Sequence, residues 1–170
     1  MLTVVEITAR ELTQASYARY GDVLSADRDD VAAVPANLGT AQKRNRLTAL
    51  VNARAEAKAN VSVFRCSPVN ERPIPLHLLE KHPHSTQIFV PMNARRYLVV
   101  VAEGGDAPDL STLAAFVASG NQAIAYRPGI WHHPMIALDD VIDFACIVFD
   151  DGTAYDCVEA AGLTLPSVRL

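Results

Sequence analysis

From Asn60 onward the chain is a series of short apolar runs, each closed by Pro, Gly, Asn or Asp. Val61–Cys66 alternates and is rich in β-branched residues. Gln87–Pro91, Tyr97–Ala102, Ala123–Tyr126 and Val141–Phe149 follow. Strands of this length with turn signals between them predict a β-sandwich or barrel. Pro75, Pro83, Pro91, Pro128 and Pro134 cannot donate to a ladder, so they mark edges and corners. One helix is expected among the strands, with Asp109 capping Leu110–Val117 and Gly120 just past its end. A second precedes them, capped by Thr13 and ended by Gly21 in the left-handed conformation. Ser25–Arg46 is polar and reads as a long irregular connection, the kind of loop that carries function. Leu47–Glu56 reads equally as helix or strand. The expectation is one domain of residues 1–170, mainly β, with a few short helices.

A chain of 170 residues can bury roughly 70% of its extended surface, enough for a core without staples. The 15 basic and 19 acidic residues leave a net charge of −4, which argues against a general nucleic-acid binder. Cys66, Cys146 and Cys157 are too few and too scattered for a disulfide framework or a CxxC zinc site. Cys66 and Cys146 lie in apolar runs and read as small buried hydrophobes. MLTVVEITAR has no basic start followed by a long apolar stretch, so no secretory leader is expected. The apolar runs fall far short of the ~20 residues that span a bilayer. A reduced, cytoplasmic protein that binds neither membrane nor nucleic acid is the resulting expectation.

The histidines are concentrated. His77, His82 and His84 fall in one segment, and His132 and His133 follow Trp131 in another. On a strand, Glu80 and His82 project to the same face. Gln87 returns to that face if a bend intervenes, and Pro83 favours one. Carboxylate, imidazole and amide oxygen suit a first-row divalent metal. His132 is the obvious fourth donor from across the barrel, and His84 is an alternative, two residues from His82.

The spacing Glu80-x-His82-x4-Gln87, completed by Gly129-Ile-Trp-His132, resembles the cupin metal signature with two ligand types changed. A resemblance covering nearly the whole chain is to the ureidoglycolate lyase family, formerly called ureidoglycolate hydrolase. It is carried by Tyr20-Gly-Asp-Val23, Asn37-x-Gly-Thr-Ala41, His77-x-x-Glu80-x-His82-Pro83, Thr86-Gln87 and Val90-Pro-Met92. Pro108-Asp-Leu-Ser-Thr-Leu113, Ala115-Phe116 and Trp131-His-His-Pro134 complete it. The resemblance implies a cupin-like jelly-roll β-barrel that forms a homodimer and holds a divalent metal, described as nickel (Ni2+). It also implies release of urea and glyoxylate from (S)-ureidoglycolate, in allantoin degradation. Two positions depart from the family. Some members carry an apolar residue in place of His84, and Lys43 stands where arginine is frequent, with Arg44 next to it. A bidentate fork on a substrate carboxylate then becomes a point charge.

Ureidoglycolate carries a carboxylate, a hydroxyl and a ureido nitrogen on one carbon. Breaking its C–N bond requires removal of the hydroxyl proton and protonation of the departing urea. A metal chelated by the carboxylate and hydroxyl favours the alkoxide, and imidazole suits the proton transfer. The expected metal cup is Glu80, His82, Gln87 and His132. His133 or His84 is the acid/base, and Lys81 or Lys43 holds the carboxylate. Strand alternation turns His133 away from His132 and Lys81 away from the cup, so both also read as structural. Trp131 reads either as core or as pocket wall, Tyr126 as a further wall candidate, and His77 as structural. Two other readings stand beside the lyase: a non-catalytic cupin sensing a small carboxylic acid, and an enzyme for a related ureido or hydroxy acid.

Overall fold

The computed structural model describes residues 5–170; the first four residues of the expected leader-free start lie outside the described residues. The chain begins with strands β1 (Glu6–Thr8) and β2 (Arg10–Glu11), helix α1 (Gln14–Tyr17) and β3 (Gly21–Leu24). Strands β4 (Ala33–Ala36) and β5 (Ala41–Arg44) follow, then β6 (Lys58–Cys66), β7 (Glu80–Lys81), β8 (Gln87–Pro91) and β9 (Arg96–Ala102). The rest comprises β10 (Ala114–Ser119), β11 (Ala123–Tyr126), β12 (Trp131–His132), β13 (Ile136–Ala137), β14 (Ile142–Asp150), β15 (Val158–Glu159) and β16 (Ser167–Arg169).

Two sheets carry the architecture. One has the order β15-β7-β12-β9-β10-β2, with β13 also on β9, and the other has β3-β11-β8-β14-β6. The chain crosses between these two sheets after β2, β6, β7, β8, β10, β11, β13 and β14, which is jelly-roll behaviour. The mainly β expectation is therefore met. Alternation explains the inner core. Phe144, Cys146 and Val148 on β14 face Tyr97, Val99 and Val101 on β9, with Phe89, Phe116 and Tyr126 between them. β9 is buried on both faces, and this accounts for its unbroken apolar run. Its other side chains, Leu98 and Val100, pack with Ile74, Ile136 and Val168 in a second cluster on the outside of the sheet. β1 and β16 pair beside that cluster, with Ile7 opposite Val168.

Three local expectations are corrected. Asp109 does cap, accepting from the Ser111 N–H at 3.0 Å, but the helix is a single 3-10 turn, Leu110–Thr112. The expected remainder is β10, with Phe116 opposite Val99. Alternation that buries Phe116 among aromatic rings outweighs the helix propensity of an alanine-rich run. Gly21 is not a left-handed helix stop, and Gly120 does not follow a helix. A Cβ on Gly21 would lie 1.8 Å from the Ala125 carbonyl oxygen, and one on Gly120 would lie 1.9 Å from that of Ala94. Both positions need glycine for close backbone approach. The polar Ser25–Arg46 connection carries the exposed β4–β5 hairpin, with Val34 opposite Lys43. Cys146 is buried as expected, whereas Cys66 is only half-buried. No helix among the described residues is long and apolar enough to cross a membrane.

Candidate metal centre

The two sheets bring a set of donor side chains together at one end of the inner core. β7 and β12 pair with His132 opposite Glu80. On the facing sheet, β8 and β11 pair with Gln87 opposite Tyr126. His82 follows β7, and its ring lies 5.7 Å from that of His132 at 11°. Tyr126 also stacks on His132, at 4.1 Å and 2°. Three of the expected ligands, Glu80, His82 and His132, are thus neighbours, with His132 Nδ1 4.0 Å from Glu80 Oε1, and Gln87 enters from the facing sheet beside Tyr126.

The tautomers follow from the partners. A carbonyl can only accept, so His82 Nδ1–H donates to the Asp156 oxygen at 2.8 Å. His132 Nδ1–H points at the His133 oxygen at 3.4 Å. In both rings Nε2 is left as the bare nitrogen. Four buried side-chain atoms among the described residues lack a hydrogen-bond partner: Tyr17 Oη, His82 Nε2, Gln87 Oε1 and His132 Nε2. Three of the four are the atoms a cation would take. Gln87 commits its other end, with Nε2–H donating to Cys146 Sγ at 3.6 Å. Buried polar atoms are almost always paired, so bare acceptors on His82, Gln87 and His132 fit a divalent cation.

Electrostatics agree. Burial first, then the neighbouring His82, push the His132 pKa down to about 3. Burial also lowers His82, so both rings are neutral, as ligation requires. Burial, and then Glu159, raise the Glu80 carboxyl. Both effects disfavour its charge until a cation is near. One donor was not anticipated from the sequence. Cys157 Sγ, a Glu80 carboxylate oxygen and a His82 ring nitrogen lie within 4.8 Å of one another. Cys157 Sγ–H donates to Glu80 Oε2 at 3.8 Å. Its thiol is pushed up to about 12, by burial first and then by Glu80 and Glu159.

Of the other expected site residues, His133, Trp131, Lys81 and Lys43 lie outside the cup. His133 faces away from the cup, and both its ring nitrogens are committed. Nδ1–H donates to the Pro134 oxygen at 2.8 Å, and Nε2 accepts the His77 N–H at 3.3 Å. Trp131 is fully buried in a separate cluster with Leu79 and Ala102, outside the inner core. Lys81 sits over the Trp131 ring at 4.5 Å and donates to the Gly105 oxygen at 2.6 Å. Lys43 is exposed on β5, beside a cavity of about 420 Å³ lined by residues such as Ser25, Asn37 and Leu47 and by none of the cup. His84 is half-buried, and its ring makes no hydrogen bond among the described residues.

The family model for ureidoglycolate lyase matches residues 4–165. The chain belongs to the ureidoglycolate lyase family. Relatives within the family include the ureidoglycolate lyase of Escherichia coli strain SMS-3-5, 40% identical over 86% of this chain and 88% of that one. Another, from Escherichia coli O1:K1, is 39% identical over the same shares. Among solved structures, a dTDP sugar isomerase from Desulfovibrio desulfuricans G20 is similar at a TM-score of 0.47 and 15% identity. That match covers 81% of this chain and 83% of the other.

Proposed function

We propose that this member of the ureidoglycolate lyase family cleaves (S)-ureidoglycolate to glyoxylate and urea. In this reading Glu80, His82, Gln87 and His132 hold a divalent cation, with nickel the first to try. The observation that carries it is the trio of bare buried atoms, His82 Nε2, Gln87 Oε1 and His132 Nε2, in a chain matched almost end to end by that family. A cation held there supplies Lewis acidity that lowers the pKa of the substrate hydroxyl. The chain does the rest. The Asp156 carbonyl fixes the His82 ring, and Tyr126 fixes that of His132. Loss of the hydroxyl proton and protonation of the ureido nitrogen break the C–N bond, so urea leaves by elimination and no water is added. Of the two histidines considered for proton transfer, His133 is committed to the backbone. His84 is the ring left to take the hydroxyl proton and return it to the departing nitrogen. Lys43 would reach the substrate carboxylate only by movement of its exposed hairpin.

The same reading makes residues 1–170 one cytoplasmic catalytic unit that works as a homodimer. Support for a self-association surface comes from edge strand β6, where Val61 and Val63 are 69% and 61% exposed. Sedimentation at micromolar concentration tests that part. The reaction itself is tested with nickel-loaded protein, racemic ureidoglycolate and a glyoxylate trap. Urea and glyoxylate without ammonia are expected. Release of ammonia would replace the lyase with an amidohydrolase.

A further inference from the structure

We propose that Cys157 is a further donor to the cation, so that this chain offers nitrogen, oxygen and sulfur together. This inference rests on the cup formed by Glu80, His82, Gln87 and His132. Strand pairing places the thiol. β15 runs antiparallel to β7 with Val158 opposite Lys81 and Glu159 opposite Glu80. Continuing that register sets Cys157 opposite His82, and alternation turns its side chain to the face of Glu80 and His82. The geometry agrees, with Sγ 3.8 Å from Glu80 Oε2 and within 4.8 Å of a His82 nitrogen.

The preceding residue holds that position. The Asp156 carbonyl accepts from His82 Nδ1–H at 2.8 Å. Its carboxylate accepts the Gly152 N–H at 2.7 Å and pairs with Arg54 at 3.1 Å. One dipeptide thus orients one ligand and presents another. Independent support comes from across the cup, where His132 Nε2 and Gln87 Oε1 are buried and unpartnered. His132 Nδ1 lies 4.0 Å from Glu80 Oε1, the carboxylate that the thiol also meets. On ligation the S–H bond gives its proton to solvent as the sulfur–metal bond forms, and no electron is transferred. A thiolate added to two imidazoles and two oxygens favours thiophilic cations such as cobalt, nickel and zinc over magnesium or calcium.

The test uses the full chain, stripped with a chelator and titrated with Co2+, followed by absorption spectroscopy and elemental analysis. Loaded wild-type protein should show a near-ultraviolet thiolate-to-cobalt charge-transfer band as well as visible d–d bands. Cys157→Ser should keep the visible bands, lose the charge-transfer band and bind Co2+ roughly tenfold or more weakly. Cys146→Ser, beside Gln87, should keep the band. Loaded wild type without the band, or a band surviving in Cys157→Ser, overturns the role of Cys157 and leaves the cup standing. Failure of the wild type to take up Co2+ at all overturns both.

Discussion

Trp131 and His132 are neighbours on β12, 0% and 1% exposed, yet their surroundings are opposite. Trp131 looks out of the sandwich into a cluster closed by the C-terminal segment, including Leu163 and Leu165. Its one polar atom is satisfied, with Nε1–H donating to the Gly105 oxygen at 3.3 Å. His132 looks inward, stacks on Tyr126 and leaves Nε2 bare. Burial alone therefore does not separate a structural position from a functional one. What distinguishes these two is whether their polar atoms are paired, and the His132 ring that carries the bare atom sits beside Glu80 and His82, unlike the isolated Tyr17 Oη. His133 extends the same comparison: it is a half-buried imidazole one residue away, with both nitrogens paired to backbone.

The largest effect should come from His132→Ala. Losing a ligand removes several kcal/mol of transition-state stabilisation, roughly a 10³-fold loss of turnover. Metal per chain, measured by elemental analysis, should fall with it. An unchanged kcat would remove His132 from the site and erase the contrast with Trp131. Trp131→Ala should act on the other ledger. A buried Trp→Ala change costs about 3–5 kcal/mol, read as a lower denaturation midpoint. The protein that remains folded should keep its metal content. Loss of metal at unchanged stability would place Trp131 in the cup.

These two residues also show how far the sequence could be read. Glu80, His82 and Gln87 could be put forward as candidates because two-residue spacing fixes a shared face and Pro83 signals the bend that lets Gln87 rejoin it; His132 entered as a candidate from the second histidine cluster. The strand runs were legible because their alternation and punctuation are local. Cys157 was not, because it meets Glu80 only through the β15–β7 pairing, 77 residues apart. The Leu110–Val117 helix was misread because an alanine-rich stretch has good helix propensity, and only the register with β9 overrides it. The glycines at 21 and 120 carried no sign of the carbonyls pressed against them.

A pH series on chelator-treated protein should register the neutral imidazoles. His132 is held near 3 and His82 and His133 are also lowered, all by burial first. Their folded values lie below the unfolded value of about 6.5, so the unfolded chain binds more protons in acid. The stability they contribute is complete above that unfolded value and is lost as pH falls toward the folded ones. Each proton contributes a slope of up to ~1.4 kcal/mol per pH unit. The melting temperature should therefore drop steeply below about pH 6.5, and His132→Gln should flatten that fall. A profile insensitive to His132→Gln would mean that His132 is not held neutral by its surroundings.

The smallest effect is expected from Lys81→Met, and it probes the dividing line most finely. Lys81 is adjacent in sequence to both Glu80 and His82, but alternation turns it to the tryptophan face. There its ammonium lies over the Trp131 ring at 4.5 Å and donates to the Gly105 oxygen that Trp131 also uses. Methionine keeps most of the apolar stem over the ring and loses the charge. The cost should be about 0.5–1 kcal/mol of stability, as for a partly exposed cation–π contact. The KM for ureidoglycolate should not move, because no part of this contact faces the cup. A tenfold rise in KM at unchanged stability would show instead that Lys81 turns inward to hold the substrate carboxylate. The two faces of the sheet would then be less separate than the paired and unpaired atoms make them.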